Sequence, residues 1–143
     1  MPVRTGSAIW EGNLRDGKGV VHLGKKRFSS SYSFHSRFEE DFGSNPEELL
    51  AASHAACFSM AFANLLAQSG YSVFTVKTVA EVHLGVIEGK ANIGMINLKC
   101  KVSADEIEES KFQELAELAK KGCPISRVLD WNKVEIKLSA TLV

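Results

Sequence analysis

Three cysteines, Cys57, Cys100 and Cys123, supply the nucleophiles of this 143-residue chain. Cys57 lies in "NPEELLAASHAACFSMAFANLLAQSG", residues 45–70, a stretch that reads as one long helix, apolar or small almost throughout. At about 100° per residue, Glu47, Leu50, His54, Cys57 and Ala61 fall in a stripe about 80° wide. A carboxylate, an imidazole and a thiol therefore share one face, while Glu48 points roughly opposite to Cys57. Cys123 stands in "KKGCPIS", just before a helix that Pro124 can start. Free backbone N–H groups at such a place stabilise a thiolate. Cys100, in "NLKCKV", shares a strand face with Leu98 and Val102 and reads as an inward-facing small hydrophobe. Burial in a core would also account for Cys57, and capping or burial for Cys123.

His54 and Cys57 at i and i+3, with Cys123 as a third ligand, are too few for zinc. Structural zinc sites pair Cys or His at short spacing twice, so no metal or organic cofactor is expected. His54 fits a hydrogen-bonded packing residue better than a base for Cys57. Trp10, Trp131 and the scattered Phe residues read as core. Phe58, Met60 and Phe62 beside the thiol could form an apolar pocket wall or its backing.

The elements that must position these groups follow from patterning. "SAIWEGNL" and "GKGVVHL", split by "RDGKG", read as a hairpin. "RFSSSYSFHSRF" alternates Phe28, Ser30, Tyr32 and Phe34 with polar partners, as a third strand would. The long helix has Asn45 as N-cap, Pro46 at its first position and Gly70 as its stop. Strands follow in "YSVFTVKTVAEVHLGVI", with Val76, Thr78, Ala80 and Val82 on one face, and in "GKANIGMINLKCKVSA". "DEIEESKFQELAELAKKG" is an amphipathic helix with Ile107, Phe112, Leu115, Ala116, Leu118 and Ala119 on its apolar side. A short helix from Pro124 and a last strand, "NKVEIKLSATLV", complete the chain. The order β-β-β-α-β-β-α-α-β is α+β with mostly antiparallel sheets packed on a long central apolar helix. One sheet covers one side of that helix, so the remaining face calls for a second subunit.

The chain is 45% hydrophobic and 24% charged, as in an ordinary globular protein, and its length suits a single domain, residues 1–143. Lys+Arg and Asp+Glu both total 17, so no global field favours nucleic acid or an anionic membrane. The start, "MPVRTGSAIWEG", has no signal-peptide pattern, and residues 45–70 are broken by Glu, His, Asn and Gln. An odd cysteine count without a signal argues against a secreted disulfide framework. A cytoplasmic location is expected.

"IWEGNLRDGKG", "SRFEE", "NPEELLAASHAACFSM" and "KKGCPISRVL", in this order, resemble the osmotically inducible protein C / organic hydroperoxide resistance (OsmC/Ohr) family over its whole length. The "WEG…GKG" start and Arg37 in "SRF" resemble the OsmC branch. The resemblance implies an intertwined homodimer with two active sites at its interface. It implies a thiol-dependent peroxidase of stress defence that reduces organic hydroperoxides better than hydrogen peroxide. Cys57 would be the peroxidatic thiol and Cys123 the resolving thiol, joined in a disulfide during turnover. Arg37 and Glu47 would activate Cys57. A dithiol, of lipoyl type or on a lipoylated protein, would be the reductant. A dimeric module that senses redox state or binds a small ligand is the alternative.

The chemistry requires such activation. A thiol of pKa about 8.5 is about 3% thiolate at pH 7, and burial lowers that fraction. Cys57 stands about 16 Å along its helix, beyond the reach of the dipole. A two-unit drop in pKa, within the reach of a nearby cation, would raise the thiolate about 25-fold. Glu47 lies about 15 Å along the same helix from Cys57. Glu47 of one subunit is therefore expected to meet Cys57 of the other.

Overall fold

Alternating faces and polar turns build two three-stranded sheets. The computed structural model describes residues 2–131 and 134–143. Asn132 and Lys133, expected to open the last strand, and the core role expected of the Trp131 side chain lie outside what is described. The chain divides into two compact units, ending and starting at Leu49 and Leu50.

In the first unit, β1 (Gly6–Glu11), β2 (Lys18–Leu23) and β3 (Phe28–Tyr32) form an antiparallel meander. Asn13 shapes the first turn. Its Oδ1 accepts from the N–H groups of Arg15 at 3.1 Å and Asp16 at 2.8 Å, the short-range side-chain bonding that favours Asn in turns. The third strand is shorter than its alternation predicts. Ser33 Oγ accepts from the Ser36 N–H at 3.0 Å, and Ser36 Oγ accepts from the Ser33 N–H at 2.9 Å. This capping box starts a short helix, α1 (Phe34–Phe38), so Arg37 rides on a helix instead of a strand. Local serine hydrogen bonds override the hydrophobic alternation here. Asn45 caps the next helix as expected, accepting from the Glu48 N–H at 2.8 Å.

That helix, α2 (Pro46–Gln68), has 23 residues. It stops where expected: Gly70, at φ +91°, lets the Tyr71 N–H reach Leu66 O at 3.1 Å and its own N–H reach Ala67 O at 3.0 Å. In the second unit β4 (Val73–Ile87) and β5 (Lys90–Ala104) pair antiparallel. Their turn puts Glu88 at φ +51° and Gly89 at φ +74°, the left-handed pair that a tight hairpin needs. The last strand, β6 (Glu135–Leu142), pairs with β5 in parallel, an exception to the expected antiparallel pattern. A parallel pairing needs a crossover, and α3 (Glu109–Gly122) with α4 (Pro124–Trp131) provides it. The fold is α+β, with one short helix more than the predicted order.

The core of the second unit joins Phe58, Phe62 and Leu66 of α2 to Ile96, Leu98 and Val102 of β5 and Phe112, Ala116 and Ala119 of α3. Phe62 packs on Phe58 at 5.7 Å and on Phe112 at 5.3 Å between ring centroids. Each such ring contributes about 1.5–3 kcal/mol through burial. The inward faces of β4 and β5 are those predicted from alternation. On α3 the prediction was too wide: Ile107 precedes the helix, and Leu118 is exposed.

On α2 the buried residues are His54, Phe58, Phe62 and Leu66, a single stripe at spacing four. Met60, on another face, is 76% exposed. By length and composition α2 could cross a membrane, despite the Glu, His, Asn and Gln that interrupt it. Its stripe instead packs in the core just described.

Candidate active site

The two ends of α1 and α2 in the first unit are tied together by buried polar groups. Asn45 Nδ2 donates to Ser36 O at 3.0 Å, and Ser36 Oγ donates to Ser44 O at 2.8 Å. The next residue on α1 is Arg37, and the second on α2 is Glu47. Arg37 Nη2 donates to Glu47 Oε1 at 2.7 Å, and Nε contacts both carboxylate oxygens at 3.2 and 3.1 Å. The paired fork holds the guanidinium in one plane. One face of the guanidinium lies over the Phe38 ring, with Cζ 5.1 Å from the centroid. Among the described residues no hydrogen bond engages Nη1, so that nitrogen is left to donate elsewhere. Beside it is a cavity of about 200 Å³ lined by Trp10, Leu14, Tyr32, Phe34 and Phe38. Trp10, expected in the core, is half-buried against Tyr32, 5.3 Å between centroids.

In the second unit Cys57 is half-buried and Cys123 is wholly buried; both are free thiols. Cys123 joins two helices: its N–H caps α3 on Ala119 O at 2.9 Å, and its C=O accepts from the Arg127 N–H of α4 at 3.0 Å. Its side chain lies near enough to Cys57 to act on that thiol's ionisation. Burial first, and then the Cys123 side chain, push the Cys57 thiol above its ordinary range. The backbone N–H of Ile125, donating to Cys57, pulls it back down. None of these influences is a cation. The free N–H groups at the start of α4 were expected to serve Cys123; that of Ile125 serves Cys57. The sequence held a signal for this. A fold that brings Cys123 to Cys57 carries along the first turn of a helix that begins at the next residue.

His54 is fully buried, and its Nε2 lies 2.7 Å from Ser126 Oγ of α4. It is the hydrogen-bonded packing residue that the sequence suggested. Burial lowers its pKa. Its Nδ1 has no partner among the described residues. Nothing in the local pattern around His54 points to Ser126, 72 positions away. Cys100 faces inward, 2% exposed, and accepts from Thr78 Oγ at 3.4 Å. Burial raises its thiol pKa and the Thr78 hydrogen bond lowers it. Phe58 and Phe62 are wholly in the core and can only back a pocket, while Met60 faces outward. Among the described residues no three His, Cys, Asp or Glu side chains cluster to hold a metal.

The structure thus brings Arg37 to Glu47 and Cys57 to Cys123. Comparison with known proteins then places the chain. The model of the family described as OsmC-like protein matches residues 38–139. The chain is 40% identical over 140 residues to "Peroxiredoxin OsmC" of Escherichia coli (strain K12), covering 97% of this chain and 96% of that protein. It is 29% identical over 101 residues to "Organic hydroperoxide resistance protein OhrB" of Bacillus subtilis (strain 168), covering 70% and 71%. Its fold matches the crystal structure of an OsmC-like protein from Mycoplasma pneumoniae with a TM-score of 0.75 at 19% identity, covering 99% and 98%. The longer and higher match favours the OsmC branch over the Ohr branch. The chain belongs to the OsmC-like protein family.

Proposed function

We propose that this protein is a thiol peroxidase that reduces organic hydroperoxides to alcohols. The observation that carries the reading is the thiol pair: half-buried Cys57, whose ionisation the wholly buried Cys123 and the Ile125 backbone both influence. The Cys57 thiolate attacks the distal oxygen of ROOH, the O–O bond breaks, and the alkoxide leaves as ROH after taking a proton. The sulfenic acid on Cys57 condenses with the Cys123 thiol to a disulfide, releasing water. An external dithiol, of lipoyl type or carried on a lipoylated protein, returns both thiols by exchange. The three free thiols suit a reducing compartment, the cytoplasm. No cofactor takes part in this scheme.

Among the described residues of one chain, Cys57 has burial against it and no cation acting for it. The proposed remedy is a homodimer in which Arg37, held by Glu47, comes to Cys57 across the interface. Support comes from α2, an apolar helix covered on one stripe only, with Met60 exposed. The apolar cavity beside Arg37 supports an organic substrate. Each buried CH₂ contributes about 0.8 kcal/mol, so three give about 2.4 kcal/mol, or about 60-fold in kcat/KM. Hydrogen peroxide gains nothing there.

The test is a peroxidase assay with an organic hydroperoxide and with hydrogen peroxide, each with a dithiol and with a monothiol donor. Turnover is expected with the organic substrate and the dithiol. Cys57→Ser should abolish it, Cys100→Ser should retain it, and Cys123→Ser should trap sulfenic acid on Cys57. Peptide mapping after one equivalent of hydroperoxide should find a Cys57–Cys123 bond. Full activity in Cys57→Ser, or a Cys57–Cys100 bond, would overturn the assignment.

A further inference from the structure

We infer that the His54–Ser126 hydrogen bond is a latch that holds the first turn of α4 against α2, so that Cys123 stays within closing distance of Cys57. His54 and Ser126 are then positioning residues for disulfide closure. The inference rests on the peroxidase reading for its purpose, though not for its geometry.

The two pairs are in register. His54 precedes Cys57 by three residues on α2, and Ser126 follows Cys123 by three at the start of α4. A spacing of three is about one helical turn, so each helix presents a thiol and a polar side chain as neighbours. One contact would fix only a distance between α2 and α4. Two contacts a turn apart also fix the rotation of α4 about its axis, and that rotation aims the Cys123 side chain and the Ile125 N–H. The link is strong in form: 2.7 Å between Nε2 and Oγ, with His54 at 0% and Ser126 at 2% exposure.

The choice of residues is uneconomical for packing alone. The stripe of α2 that holds His54 continues as Phe58, Phe62 and Leu66. An imidazole in that row leaves Nδ1 unpartnered among the described residues. A pair of apolar side chains of similar shape would fill the space without an unmet polar atom. What an apolar pair lacks is direction, because apolar contact tolerates sliding and a hydrogen bond does not.

Disulfide closure is sensitive to such sliding. In the closing step the Cys123 sulfur attacks the sulfur of Cys57–SOH; the S–S bond forms, the S–O bond breaks, and the oxygen leaves as water with the Cys123 proton. The product requires an S–S distance of about 2.05 Å and a Cα separation of about 4.4–6.8 Å. A displacement of about 1 Å can cost about 100-fold in rate.

The experiment compares two rates in the full-length protein under single turnover with tert-butyl hydroperoxide: formation of sulfenic acid, trapped by dimedone, and its disappearance into the disulfide. A second arm drives the same closure with diamide, which takes two hydrogens from the thiol pair and needs no peroxidase chemistry. Ser126→Ala should lower the ratio of closure to oxidation by at least about tenfold and should slow the diamide reaction. His54→Leu should do the same, and the double variant should lose no more than either single one, as expected of one shared bond. His54→Gln, which keeps an amide nitrogen for Ser126, should restore much of the ratio. Leu66→Val, a core change farther along α2, should leave it alone. If a single variant fails to fold, the double variant, with no unmet polar partner, carries the measurement. An unchanged ratio in Ser126→Ala or in the double variant would overturn the latch, as would an equal loss in Leu66→Val. Wild-type protein that ignores the hydroperoxide but closes with diamide would refute the peroxidase reading, and the diamide arm would still decide the latch. Wild-type protein that closes with neither would refute both.

Discussion

Arg37 meets Glu47 side-on, with Nη2 at 2.7 Å from Oε1 and Nε shared between the two carboxylate oxygens. The Glu47 side chain is 12% exposed and that of Arg37 33%, so the pair is partly shielded. Such a fork fixes orientation as well as charge, and a lysine cannot reproduce it. If Arg37 activates Cys57, Arg37→Ala should raise the Cys57 pKa by at least about one unit. Glu47→Ala should raise it less, since it removes the holder and keeps the cation. Arg37→Lys should fall between wild type and Arg37→Ala. The pH dependence of Cys57 alkylation measures all three. A profile unmoved in Arg37→Ala would remove Arg37 from the site.

A shared site makes a second, independent demand. Glu47 and Cys57 belong to one continuous helix, about 15 Å apart along its axis. If Glu47 serves the Cys57 of the other subunit, Cys57→Ser chains mixed with Glu47→Ala chains should recover activity on exchange. Each mixed dimer would carry one doubly defective site and one intact site. Recovery should reach about a quarter of wild type for random mixing of a symmetric dimer. No recovery despite proven mixing would place both residues of one site in the same chain.

His54 should impose a pH dependence on stability. Burial depresses its folded pKa below the ordinary 6.5. The unfolded chain therefore binds the extra proton first. Stability is complete above about pH 6.5 and is lost as pH falls from there toward the folded pKa, by at most about 1.4 kcal/mol per pH unit. Urea unfolding of wild type and His54→Gln between pH 7 and pH 5 measures it. The slope should be smaller in His54→Gln, and equal slopes would contradict a buried neutral imidazole.

The single sequence was enough for features whose physics is local. Asn45 and Pro46 start α2 and Gly70 ends it because caps act within a turn or two. Cys100 faces inward because strand side chains alternate, and the faces of β4 and β5 follow the same rule. Even at α1, where the structure departs from the alternating pattern, the cause is local: the reciprocal Ser33–Ser36 hydrogen bonds outweigh it.

Tertiary structure decided the rest, because contacts between residues far apart in the chain leave no period in the sequence. The parallel pairing of β6 with β5 depends on where α3 and α4 return the chain. The approach of Ser126 to His54, the seating of Cys123 beside Cys57 and the aim of the Ile125 N–H all depend on the docking of α4 on α2. Sequence motifs could nominate the two thiols and the Arg37–Glu47 pair. Only folding decides which backbone donor points at Cys57, since that direction is set by the rotation of one packed helix against another.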